Sequence, residues 1–118
     1  MLKKYLHTRF RVADMDRSVH FYSDILGMEV VERKTSPRGS QLVFLRFPAT
    51  DGELELCSFP DSGMVNVPED LVHLAFQVQD LEVCVGKLES AGIPITEGPV
   101  EMGSGTRFIF TEAQTNTK

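Results

Sequence analysis

Among the side chains of this 118-residue sequence whose donor atoms could hold a transition metal, three stand out by their placement, namely His7, Glu55 and His73. Each sits at an alternate position of a strand-like run, and side chains alternate between the two faces of a strand. In "YLHTRFRV" (5–12), Leu6, Thr8, Phe10 and Val12 form one face, leaving Tyr5, His7, Arg9 and Arg11 on the other. In "ELELCSF" (53–59), Glu53, Glu55, Cys57 and Phe59 oppose Leu54, Leu56 and Ser58. In "LVHLAFQV" (71–78), His73 shares a face with Leu71, Ala75 and Gln77, opposite Val72, Leu74, Phe76 and Val78. If helices cover the apolar faces, then His7, Glu55 and His73 all point to the inner side of a curled sheet. Nitrogen and oxygen donors without thiolate suit one divalent transition ion such as Zn²⁺, Ni²⁺ or Co²⁺, with Mn²⁺ and Fe²⁺ also compatible. They do not suit an all-oxygen calcium site. A lone strand histidine is ordinarily a half-buried residue with one hydrogen bond; a matched pair is not required by packing. Glu53 shares the face of Glu55, so the carboxylate ligand is open between them. Arg9 and Arg11 flank His7, either on a solvated edge or as guanidinium groups for carboxylates or phosphates.

The elements that would position these residues can be read between them. Asp14 is a suitable N-cap for a helix over "MDRSVHFYSDIL", in which Met15, Val19, Tyr22 and Leu26 recur at helical spacing and Gly27 closes the last turn. "MEVVERKT" and "QLVFLRF" read as strands joined by the turn "SPRGS", and "PATDG" leads into the strand of Glu55. Residues 1–59 thus read β-α-β-β-β. Residues 60–70, with two prolines and few core residues, read as a linker. The pattern then restarts: a strand over 71–78, Asp80 as a cap, and a helix with Leu81, Cys84, Val85, Leu88 and Ala91 in one stripe before Gly92.

The restart keeps register. His7 and His73, Asp14 and Asp80, Gly39 and Gly105, and Phe44 and Phe110 are each 66 residues apart, whereas Gly27 and Gly92 differ by 65. Four matches at one offset indicate an internal repeat. The expected fold class is α+β, one domain of two β-α-β-β-β modules (1–59 and 71–118), the second lacking its last strand. The counterpart of Glu55 would fall near position 121, past residue 118.

Composition excludes other classes. A net charge of −5, with no basic run longer than two residues, argues against a nucleic-acid surface. No stretch approaches a membrane span or a signal peptide. Cys57 and Cys84 lack zinc-knuckle or CxxC spacing and read as free thiols of a reducing cytoplasm. "GSG" at 103–105 lies in a hairpin-type turn rather than a phosphate loop, Ser58 and Cys57 have no evident base, and His20 reads as a surface residue.

"HTRFRVADMDRSVHFYSDILGMEVV" resembles the opening of the glyoxalase I (lactoylglutathione lyase) branch of the vicinal-oxygen-chelate superfamily. "ELEL", "VHLAFQVQDL" and "GPV" before "GSGT" resemble its later segments, so the likeness spans about residues 6–112. The resemblance implies that His7, Glu55 and His73 are three of four metal ligands, the fourth being a glutamate of the last strand. It implies Glu55 as a carboxylate that moves a proton between adjacent carbons of a hemithioacetal such as that of methylglyoxal and glutathione. Arg11 matches an arginine that contacts the glutathione carboxylate, and the family forms homodimers whose metals lie between modules of different subunits. Phe59 stands where an asparagine is usual and Glu101 where a basic residue is usual; both depart from a glutathione site. "EAQTNTK" replaces the family's turn and last strand, and its back-translation suggests a frameshift near codon 112. The alternatives are a non-catalytic small-molecule or metal-binding member, or a ring-cleaving dioxygenase relative. A chain with three ligands is expected to bind metal weakly, to associate through its open edge and to isomerise little.

Overall fold

A computed structural model of the chain describes residues 1–59, 61 and 71–112. Backbone contacts divide these residues into two compact units, one up to Asp61 and one from Leu71 to Glu112. The expected linker, apart from Asp61, and the tail from Ala113 lie outside the described residues.

The first unit runs β1 (His7–Arg11), α1 (Met15–Val19) continued by a π turn (His20–Ile25), β2 (Glu29–Thr35), β3 (Gln41–Arg46) and β4 (Glu53–Ser58). Its four strands lie in the order β1-β4-β3-β2. β1 pairs with β4 in parallel, with Arg9 opposite Glu55, and the β2–β3 and β3–β4 pairs are antiparallel. The β-α-β-β-β order read from the sequence is the one observed. The second unit contains α2 (Leu81–Ser90) and the antiparallel hairpin of β5 (Ile95–Glu101) and β6 (Arg107–Thr111). Shifted by 66, β2 covers 95–101 and the start of β3 falls at 107, so the hairpin repeats the first unit strand for strand.

One expected strand does not form. Residues 71–78 form no strand ladder with the described residues and are exposed, including Val72, Leu74, Phe76 and Val78. In the first unit the equivalent strand, β1, bonds only to β4. At the same offset the counterpart of β4 would occupy positions 119–124, past residue 118.

The two helices start alike and end differently. Asp14 Oδ1 accepts from the Arg17 amide and Asp80 Oδ1 from the Val83 amide, each at 3.1 Å. At the far end of α2, the Gly92 amide donates to Glu89 O and the Ile93 amide to Leu88 O, with Leu88 and Ile93 both buried, which is a Schellman closure. Gly92 and Gly27 hold φ of +77° and +87°, a region that suits glycine. Before Gly27, however, the Leu26 amide reaches back five residues to Phe21 O. This π turn accommodates one extra residue. Cap to glycine is 13 residues in the first unit and 12 in the second, which accounts for the spacing of 65. The register is restored before the strands begin: Met28 alone separates Gly27 from β2, whereas Ile93 and Pro94 separate Gly92 from β5. β2 slips once against β3, between Val30 and Glu32, while β5 slips twice against β6, at Ile95/Glu97 and Glu97/Val100.

Burial corrects the expected stripes. On the first helix Met15, Ser18, Phe21, Tyr22 and Ile25 are buried, while Val19 and Leu26 are only half-buried. On α2 only Leu88 is fully buried and Ala91 is exposed. The core of the first unit is two-sided. Leu42 to Leu45 on β3 and Leu54 to Cys57 on β4 are buried, so the β4 face that carries Glu55 is covered as fully as the face of Leu54 and Leu56.

Candidate metal centre

His7, Arg9 and Glu55 share one face of the first sheet, because Arg9 and Glu55 are register partners and His7 lies two residues before Arg9. His7 is opposite Glu53 in the ladder, yet the carboxylate that approaches its ring is Glu55: His7 Nε2 stands 3.5 Å from Glu55 Oε1. Two donors held at ~2.0–2.1 Å by one tetrahedral ion lie about 3.4 Å apart. The pair therefore has the spacing and chemistry of two ligands of a shared cation. Its hydrophobic surround is the cluster of Leu42, Phe44 and Cys57 on the same face. The His7 ring meets Phe44 edge-on, centroids 5.5 Å apart.

The second unit repeats that contact. His73 is exposed, and its ring meets Phe110 edge-on with centroids 6.0 Å apart. Phe44 and Phe110 are 66 residues apart, as are the histidines, so both units place an imidazole on the same aromatic shelf. No three histidine, cysteine, aspartate or glutamate side chains gather to hold a metal among the described residues.

Glu55 is 1% exposed, and its cationic partner in the structure is Arg9. The guanidinium donates from Nε to Oε1 at 2.7 Å and from Nη2 to Oε2 at 3.2 Å, a two-pronged charge-assisted pair. The hydrogen bond to Glu55, and then its charge, raise the Arg9 pKa above the ordinary guanidinium value. Arg9 also lines an open cleft of about 330 Å³ with Arg38, Ser36, Ser40, Leu42 and Cys57. Glu55 already neutralises the Arg9 guanidinium, so Arg38 is the other cation of the lining, beside the hydroxyls of Ser36 and Ser40. Arg11 ends β1 opposite Cys57, on the face of His7 but outside the cleft lining. Sequence reasoning missed Arg38; the signal was a cation inside the tight turn "SPRGS". It also treated Arg9 and Glu55 separately, because their pairing depends on a parallel register that side-chain patterns do not disclose.

The parallel β1–β4 pair, the helix crossing between β1 and β2 and the imidazole–carboxylate face define the fold that the resemblance implied. The chain belongs to the Glyoxalase/Bleomycin resistance protein/Dioxygenase superfamily, which it matches over residues 4–117. It is 31% identical over 107 residues to a probable lactoylglutathione lyase of Synechocystis, covering 88% of this chain and 82% of that one. It is 32% identical over 114 residues to a lactoylglutathione lyase of Neisseria meningitidis serogroup A, covering 92% and 82% respectively. The trypanothione-dependent glyoxalase I of Leishmania major superposes with a TM-score of 0.80 at 29% identity, covering 98% of this chain and 82% of the other. No helix among the described residues is long and apolar enough to cross a membrane.

Proposed function

We propose that this chain is a glyoxalase I-type lyase, isomerising the hemithioacetal of a 2-oxoaldehyde such as methylglyoxal and a thiol such as glutathione. The observation that carries the reading is the His7–Glu55 pair on the inner face of the first sheet, in a chain whose relatives are named lactoylglutathione lyases. His7, Glu55 and His73 would hold one divalent transition ion, Zn²⁺, Ni²⁺ or Co²⁺. Such an ion, when bound, supplies positive charge to the neighbouring oxygens on which negative charge develops. Glu55, itself only 1% exposed, moves the proton between the adjacent carbons. Arg11 receives a carboxylate of the thiol conjugate, with the basic cleft of Arg9 and Arg38 beside it.

The reading includes a homodimer whose subunits share each centre, and a reducing cytoplasmic setting, which the free thiols Cys57 and Cys84 support. The fourth ligand is assigned to a glutamate at the repeat position of Glu55, near 121. A chain extended by a strand carrying that glutamate is expected to bind metal more tightly and to isomerise faster than residues 1–118.

The test is metal analysis of the purified protein followed by an assay with methylglyoxal and glutathione. His7→Ala and His73→Ala should each lower bound metal more than Glu53→Gln does. At equal metal occupancy, Glu55→Gln should slow turnover by roughly 10²–10⁴-fold, the contribution of a positioned general base. Equal effects at Glu53 and Glu55 would assign the wrong carboxylate. Binding of metal without any isomerisation, in the extended chain as well, would favour the non-catalytic alternative.

A further inference from the structure

Glu55 is the one charged residue in the fully buried class among the described residues. A carboxylate so placed must have a counter-charge, since an unpaired buried anion is strongly disfavoured. Arg9 supplies it, with both carboxylate oxygens engaged. The geometry is specific in one further respect. Arg9 Nε lies 2.7 Å from Oε1, the same oxygen that stands 3.5 Å from His7 Nε2. A divalent ion between His7 and Glu55 would meet that guanidinium at once, two cations competing for one oxygen.

We propose that Arg9 is a built-in competitor of the metal: it holds the Glu55 carboxylate while no ion is bound, and an ion enters only by displacing it. The inference rests on the reading of Glu55 as a metal ligand and adds a positioning residue to it. Displacement is sterically open. The Arg9 side chain is 57% exposed, and the cleft of about 330 Å³ that it lines gives the freed guanidinium room. Arg38 lines that cleft too, so the displaced charge moves toward another cation and not into a waiting carboxylate. The pair therefore keeps the sheet satisfied without metal, at the expense of metal affinity.

The experiment is calorimetric titration of the full 118-residue chain with Ni²⁺ or Zn²⁺, alongside thermal unfolding of the metal-free protein. Arg9→Met keeps the length and removes the charge; Arg9→Lys keeps the charge and loses the fork; Arg33→Met, on the exposed strand β2, is the control. Arg9→Met is expected to bind the ion about 10- to 100-fold more tightly than the natural chain, the range for a lost charge-assisted pair. It should also melt at lower temperature without metal and gain more from metal addition. Arg9→Lys should fall between, and it carries the test if the metal-free Arg9→Met chain does not fold. Metal affinity of the Arg9 variants within twofold of the control, or below it, would overturn the proposal while leaving the metal reading intact. Absence of binding in every variant would overturn both.

Discussion

The two repeat units differ most at positions that the repeat makes equivalent. Phe44 is 7% exposed and Phe110 is 40% exposed, although each carries a histidine edge-on against its ring. Tyr22 is buried in the first helix, where its counterpart at 88 is leucine. The first unit pairs β1 to β4 and buries β3 and β4 on both faces, whereas the described residues of the second comprise a hairpin, a helix and an exposed segment without strand assignment. Similar local sequence has therefore produced similar local structure in both units, while a two-sided core appears only where a fourth strand is present. A strand partner fixes more than its own hydrogen bonds; it determines whether its neighbours' side chains are covered at all.

The contrast should be largest in the core. Phe44→Ala is expected to destabilise by about 3–5 kcal/mol in urea unfolding, the range for a large aromatic lost from a packed site. Phe110→Ala should remove about 1 kcal/mol, since its ring keeps mainly its contacts with Phe108 and His73. Equal losses would erase the distinction between the units.

Alkaline pH should expose the next difference. Burial pushes the Tyr22 hydroxyl up to about 12, against an ordinary value of 10.0. The folded state thus keeps its proton where the unfolded chain has released one. Stability is fully present below pH 10 and falls as pH rises from about 10 toward 12, by ~2–3 kcal/mol in all. Tyr22→Phe should flatten that fall in denaturation curves collected across this range. It should also add about 1 kcal/mol at neutral pH, because the buried Tyr22 hydroxyl has no hydrogen-bond partner among the described residues.

The smallest effects should be equal, and that equality is the check. Asp14→Ala and Asp80→Ala each remove one carboxylate–amide bond of 3.1 Å and should each cost about 1 kcal/mol. A cap effect confined to the first unit would mean that α2 is held by its surroundings and not by its own start.

Legibility followed the range of the interaction. Caps, glycine ends and the β2–β3 turn depend on residues within a few positions of one another, and Asp14, Gly27, Asp80, Gly92 and "SPRGS" disclosed them. The repeat offset even carried the π turn, as the single spacing of 65 among spacings of 66, although a length difference alone does not say that the extra residue widens a helix. Pairing across the sheet was not legible. "LVHLAFQV" has every local property of a strand, yet it forms no ladder among the described residues, because a ladder needs a partner that local pattern does not name. For the candidate centre, residue types and faces singled out His7 and Glu55. That Glu55 is buried and forked by Arg9 required the parallel register, which depends on residues 46 apart.

That separation bears on the order in which the molecule is assembled. The β5–β6 hairpin closes between Glu101 and Arg107, six residues apart (107 − 101), while β1 waits for β4 across 46. Closing the longer loop costs about 2 kcal/mol more in chain entropy, so the hairpin should be an early event and the β1–β4 pair a late one. Until that late step Glu55 is an ordinary carboxylate in water. The buried, forked carboxylate of Glu55 is consequently a late product of folding: the same docking of β1 that brings Arg9 to it also brings His7.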